Sequence, residues 1–144
     1  MSQQLIRFWD LLKLNLKFAV WAAVFNCFWG LVVVKLVSIK GLPNGFMVAV
    51  VLSTFLVAFL STIGYFLLKK FFTRGLFLYY FLGTSFYIFC NFPAFESQLP
   101  DGSPIPNYFT LLVLPMHAIC AFLMVYKMPQ QALKFTSLNA DNSI

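Results

Sequence analysis

Four long apolar stretches dominate this chain, and all but one of its charged residues lie outside them. The stretches cover roughly residues 18–37, 46–68, 76–92 and 108–126. A helix needs about 20 apolar residues to cross the ~30 Å hydrocarbon core of a bilayer. With tilt and aromatic ends, each stretch satisfies this requirement. The sequence therefore predicts an all-α integral membrane protein, a four-helix transmembrane bundle with up-down-up-down topology.

The composition excludes an ordinary soluble domain. Hydrophobic residues make up 61% of the chain, charged residues make up 10%, and the mean hydropathy is +0.85. Soluble domains contain about 45–50% apolar and about 25% charged residues. At 144 residues, we expect one membrane domain and no separate soluble domain.

The basic residues predict an orientation. Eight of the ten lie in gaps that would share one side of the membrane, and these are Arg7, Lys13, Lys17, Lys69, Lys70, Arg74, Lys127 and Lys134. Only Lys35 and Lys40 lie toward the other side. Because basic residues near span ends mark the cytoplasmic face, we expect both termini in the cytoplasm. The net charge of +6 therefore reflects topology, and nucleic acid is not an expected partner.

Segments outside the spans divide the chain further. Residues 1–17 read as an amphipathic juxtamembrane lead-in, either a short N-terminal helix in the interface or a direct extension of the first span. Residues 18–126 form the four-span domain. Residues 127–144 read as a polar cytoplasmic tail, which we expect to be loosely ordered.

The longest connection between spans is a candidate outer contact surface. Residues 91–107 contain four prolines, which exclude a continuous helix. Phe92, Phe95, Glu96 and Asp101 are the candidate contact residues, because loops carry function more often than scaffolds do. The alternative is a plain hairpin connector.

The second span presents small residues on one helical face. Thr54, Ala58, Ser61 and Tyr65 follow each other at intervals of four, three and four residues. Small residues allow helices in membranes to approach closely. We expect this face to contact a neighbouring helix.

A polar layer is the candidate site. Counted from the predicted cytoplasmic span ends, Asn26, Ser61, Thr84 and His117 all lie about 10–14 Å deep at the helical rise per residue. An ionisable residue inside a membrane is a functional hypothesis by default. We expect Asn26 and His117 to share a hydrogen-bond network, serving either ligand or proton binding or simply helix association. Pro115 would free a backbone carbonyl beside this layer.

Catalytic and cofactor chemistry finds little support. The spans contain no Asp or Glu and a single histidine. No His/Cys/acid cluster has zinc spacing, and no G-x-S-x-G, P-loop or dinucleotide-binding fingerprint is present. We therefore predict no catalytic residue, no metal and no cofactor, and an enzyme is not the favoured class.

Two short segments carry a resemblance to a known family. Ala22-Ala23-Val24-Phe25-Asn26 in the first span and Leu114-Pro115-Met116-His117-Ala118 in the last resemble an uncharacterised family of small four-helix bacterial membrane proteins, a domain of unknown function. The resemblance implies a bacterial inner (plasma) membrane location and draws attention to Asn26 and His117. It supplies no activity.

Two functional readings follow. The first is a non-enzymatic accessory or interaction subunit, whose partners are the lipid bilayer and either another protein or a second copy of the chain. The alternative is a binder or carrier of a small apolar or weakly polar molecule, held in an intramembrane cavity near Asn26 and His117.

Overall fold

The computed structural model describes residues 7–39, 42, 44–95, 98 and 104–141, and every regular element in these ranges is helical. Three helices form the first part: α1 (Phe8–Val37), α2 (Phe46–Phe71) and α3 (Gly75–Asn91). A short 3-10 turn, Phe92–Phe95, follows α3. The second part is one helical run: α4 (Phe109–Ala121), a π-helical segment (Phe122–Lys127) and α5 (Met128–Asp141).

Three of these helical segments are long and apolar enough to cross a membrane. They are Phe8–Val37 with 30 residues, Phe46–Phe71 with 26 residues and Phe109–Phe135 with 27 residues. The prediction of an all-helical protein is thereby confirmed, and three of its helical segments have the length and composition of membrane spans. Helix α3 is shorter, with 17 residues.

The first helix begins well before the predicted first span. Helix α1 runs from Phe8 through residues 17 and 18 without a break. Leu11 and Asn15 are fully buried, so this part of α1 packs against protein. Helix α1 is thus continuous across the predicted boundary between residues 17 and 18.

The C-terminal segment differs from the loosely ordered tail that we expect from its sequence. The helix continues as α5 to Asp141. Met128 and Ala132 are buried against Leu11 of α1 and Tyr65 of α2. The polar composition conceals these two apolar positions, which lie one turn apart and pack the first turns of α5 against α1.

The helices pack with small residues at their contacts. Helix α1 contacts α2 and α4, and α3 contacts the same two helices. Thr54 and Ala58 of α2 are buried, together with Ala19 and Ala22 of α1. This confirms that the small-residue face of α2 meets a neighbouring helix, because small side chains let two backbones approach closely.

Large apolar side chains cover the outside. Among those that are more than half exposed are Trp21 and Phe28 of α1, Leu52 of α2, and Phe81 and Phe89 of α3. Soluble monomers rarely expose contiguous apolar surface on this scale. The outer surface therefore suits a hydrocarbon environment.

Candidate functional site

Pro115 frees one backbone carbonyl, and α1 supplies its partner. A proline has no N–H, so the carbonyl oxygen of Leu111, four residues earlier, loses its intrahelical donor. The Trp29 Nε1–H of α1 donates to this oxygen across 3.2 Å. The freed carbonyl that the sequence predicts is therefore used to join α1 to α4.

A second carbonyl is freed where the π-helical segment ends. The Met128 N–H donates to the carbonyl of Leu123, so it does not serve Met124, and residue 129 is a proline. The Tyr79 hydroxyl of α3 donates to the Met124 carbonyl oxygen across 2.8 Å. In both cases an aromatic side chain from a neighbouring helix donates a hydrogen bond to a carbonyl oxygen that lacks its intrahelical donor about one turn before a proline.

Tyr79 also belongs to a chain of hydrogen bonds that starts on α1. Because its hydroxyl donates to Met124, it must accept from Ser61, whose Oγ lies 2.7 Å away. Ser61 Oγ in turn accepts from the Asn15 amide nitrogen at 3.1 Å. The chain Asn15, Ser61, Tyr79 and Met124 thus connects α1, α2, α3 and the π-helical segment.

Asn15 holds α1 to α2 more directly. Its amide nitrogen lies 2.7 Å from the Ala58 carbonyl oxygen and 3.0 Å from Thr62 Oγ1. The residue is fully buried. A buried amide that pairs across helices stabilises their association, by about 0.6 kcal/mol on average in membranes.

Asn26 forms a separate pair of contacts, toward the middle of α1. Its amide nitrogen donates to Cys120 Sγ at 3.3 Å and to Thr54 Oγ1 at 3.4 Å. The Thr54 hydroxyl donates to the Val50 carbonyl at 2.7 Å, which leaves its oxygen free to accept. The Oδ1 atoms of Asn26 and Asn15 are buried without a hydrogen-bond partner among the described residues.

His117 pairs with Asn91, at the end of α3. Its Nδ1 lies 3.1 Å from Asn91 Oδ1. The Asn91 amide nitrogen donates to the Tyr87 carbonyl at 2.8 Å, so Asn91 Oδ1 is the acceptor and His117 Nδ1 carries the proton. In the neutral imidazole the other ring nitrogen, Nε2, is then an acceptor.

The direct hydrogen bonds of the described residues therefore do not join the predicted polar layer into one network. Asn26 contacts Thr54 and Cys120, Ser61 contacts Asn15 and Tyr79, His117 contacts Asn91, and Thr84 contacts Tyr126 at 2.8 Å on an exposed side. The expected link between Asn26 and His117 is absent from the hydrogen bonds of these two described residues.

The reason lies in the register of the helices. The predicted depths start at residue 18, whereas α1 starts at Phe8. Ser61 consequently meets Asn15, which lies 11 residues, or about 16 Å of helix, from Asn26. The depth of a residue, counted from the predicted end of its own span, therefore does not determine which residues of other helices it contacts.

The sequence reasoning missed several hydrogen-bonding residues, among them Asn15, Trp29, Tyr79 and Asn91. The sequence could have indicated Asn15, because the 11 residues between Asn15 and Asn26 correspond to about three turns and place both on the same face of α1. Trp29, Tyr79 and Asn91 gave no such signal, since their roles depend on which helix lies opposite.

Methionine side chains fill the space beside Gly30, close to Asn26. Gly30 lies one turn further along α1 and is buried. A Cβ atom added to Gly30 would lie 2.9 Å from Met116 Cε and closer still to Met47 Cε. Two methionines thus fill the space that a side chain of residue 30 would need, and the helices meet there through side-chain contact.

The candidate outer surface is only partly described. Phe92 and Phe95 are both exposed, as a contact surface requires. Glu96 and Asp101 lie outside the described residues. Within the part of the chain that the structure describes, no group of three His, Cys, Asp or Glu residues could hold a metal ion.

Comparison with known proteins gives no match to this chain among protein-family models, curated proteins or solved structures.

Proposed function

We propose that this chain is a multi-pass protein of a bacterial inner membrane, in which α1, α2, α3 and the α4–α5 run form a four-helix transmembrane bundle. The fourth span would be α3. Its support is that α3 packs on α2 and α4, two helices of spanning length, and has no charged residue between Gly75 and Asn91. Its 17 residues measure about 26 Å, close to the hydrocarbon thickness.

Both termini would lie in the cytoplasm, with up-down-up-down topology. The support is the distribution of basic residues, eight of which belong to one end of this arrangement. Cysteine labelling with a membrane-impermeant reagent tests the orientation, in a background with Cys27, Cys90 and Cys120 replaced by serine.

The two labelling positions are exposed residues from opposite ends of the bundle, Asn107 and Ser137. Asn107→Cys should react in intact cells, and Ser137→Cys should react only after the membrane is opened. The reverse pattern would refute the orientation, and reaction at both positions in intact cells would refute a crossing of the membrane by the α4–α5 run.

We propose a non-enzymatic accessory or interaction subunit as the role. One observation carries this proposal: Met47 and Met116 fill the space beside Gly30, and the amide nitrogen of the neighbouring Asn26 donates to Thr54 and Cys120. Since the interior offers contacts between helices, the surface left for interaction is the outside of the bundle.

Extraction from native membranes in lipid nanodiscs, followed by native mass spectrometry, tests this role. A discrete particle that contains this chain and a second polypeptide, or two copies of the chain, at a fixed ratio supports the proposal. A single chain that retains a small molecule at a fixed ratio supports the alternative instead.

The alternative, a binder of a small apolar or weakly polar molecule near Asn26 and His117, keeps one specific support. Asn26 Oδ1 is buried without a hydrogen-bond partner among the described residues, and a ligand with a donor group would satisfy it. An Asn26→Leu variant should then lose the retained mass, whereas a Ser53→Ala variant, altered on an exposed face of α2, should keep it.

A further inference from the structure

Eight of the ten basic residues lie at one end of the folded chain. They flank the buried cluster of Leu11, Tyr65, Tyr79, Val125, Met128 and Ala132. The basic residues at this end are Lys13 and Lys17 on α1, Lys69 and Lys70 at the end of α2, Arg74 directly before α3, and Lys127 and Lys134 around the start of α5. Together with Arg7, they leave this end strongly positive.

Little negative charge compensates them. Among the side chains that the structure describes, Asp10 is the single carboxylate. Most of the basic side chains are exposed. An anionic partner is therefore the electrostatic complement of this end.

Two of the lysines point to where that partner lies. Lys70 Nζ lies 5.4 Å from the ring centre of Phe71 and 5.9 Å from that of Phe66. Lys127 Nζ lies 5.3 Å from the ring centre of Phe122. Phe71 and Phe122 are more than half exposed, so both ammonium groups lie on the lateral, apolar surface of the helices.

The lateral position distinguishes between two kinds of anion. Phe66 and Phe122 lie about one turn before their lysines, so each ammonium group folds back beside apolar side chains instead of extending beyond the helix end. In the membrane placement proposed above, lipid phosphates would surround the protein at this height. A soluble acidic protein that docks onto the end of the helices would meet these two groups only at its edge.

We propose that Lys70 and Lys127, supported by the other basic residues of this end, form a lateral binding surface for the phosphate groups of anionic phospholipids. The inference rests on the membrane placement proposed above and adds a lipid class to it. It does not depend on the orientation of the chain or on its role as a subunit. Each lysine near an anionic lipid surface changes the partition of a protein onto that surface by about fivefold.

The experiment measures thermal unfolding of the full chain in neutral detergent micelles. Phosphatidylglycerol is titrated into one series and phosphatidylcholine into the other. Phosphatidylglycerol should raise the unfolding temperature, because a ligand that binds the folded state stabilises it. High salt should weaken the effect, since the contact is partly exposed.

Three variants locate the surface. Lys70→Gln with Lys127→Gln should raise the phosphatidylglycerol concentration at half-effect about 25-fold, as two lysines at about fivefold each imply. The same two positions changed to Arg should keep the response of the original chain. The control Lys35→Gln, which removes an exposed lysine at the opposite end, should also keep it.

Several results would overturn the proposal. These are an equal response to phosphatidylcholine, an unchanged response in the double Gln variant, or an equal loss in the Lys35→Gln control. An equal stabilisation by soluble polyglutamate would replace the lipid with an acidic protein partner. Each of these results leaves the cysteine-labelling pattern unaffected, so failure here is distinguishable from failure of the membrane topology.

Discussion

The hydrogen bond between Trp29 and the Leu111 carbonyl makes a quantitative prediction about Pro115. The Leu111 oxygen needs the Trp29 indole because residue 115 has no N–H to offer. In a Pro115→Ala variant, the new backbone N–H is placed to donate to Leu111 within α4. Trp29→Phe should therefore destabilise the original chain more than it destabilises the Pro115→Ala variant.

The size of this difference follows from the cost of an unpaired carbonyl. Hydrogen bonds between membrane helices contribute about 0.6 kcal/mol on average and at most about 1.7 kcal/mol. A carbonyl left unpaired costs about 1–3 kcal/mol where it is buried, and Leu111 is partly exposed. We expect a coupling free energy of about 1 kcal/mol between the two substitutions, from these ranges.

A double-mutant cycle measures this coupling. The free energy of unfolding is determined for the original chain, both single variants and the double variant, by titration with a denaturing detergent in mixed micelles. Trp29 also packs beside Val33, Leu112 and Met116. The loss of that packing is common to both backgrounds and cancels in the cycle.

The control cycle pairs Pro115→Ala with Trp21→Phe, because Trp21 lies on the exposed face of α1. This pair should be additive. If the Trp29 cycle is also additive within about 0.3–0.5 kcal/mol, the usual error for independent sites, then the indole does not replace the missing N–H and the reasoning is wrong.

Two further predictions use the same kind of measurement. Gly75→Ala should unfold at markedly lower denaturant, because its Cβ would meet the backbone of Leu68 and lie 2.8 Å from the Lys69 nitrogen, whereas Gly64→Ala, with nothing within 4 Å, should be neutral or slightly stabilising. His117→Leu should couple with Asn91→Leu, its hydrogen-bond partner, and should be additive with Asn26→Leu. If His117→Leu coupled only with Asn26→Leu, this result would support the network that the sequence predicts.

The helices were largely predictable from hydrophobic length. The predicted second span starts at residue 46, as α2 does, and the predicted third span, 76–92, lies within one residue of Gly75–Asn91 at each end. Gly45 precedes α2 with a positive φ of 80°, which explains why that boundary is sharp. The start of α1 was harder, because the charges of residues 7–17 suit an interfacial helix and an extended span equally well.

The site was predictable only as a set of residues. Asn26, Ser61, Thr84 and His117 are polar residues inside apolar helices, and the sequence identifies them as such. Their pairing depends on how the helices are shifted along one another. The π-helical segment Phe122–Lys127 adds to this shift, and apolar periodicity does not reveal it.

The difference in length between α1 and α3 has a consequence for the surrounding bilayer. The 30 residues of α1 extend about 45 Å, enough to reach through both headgroup layers, whereas the 17 residues of α3 extend about 26 Å. If α3 spans the membrane as proposed, the lipids beside it must thin slightly, while those beside α1 need not. The chain would then sit at lower cost in thin membranes, and hydrophobic mismatch would act on one side of the molecule only.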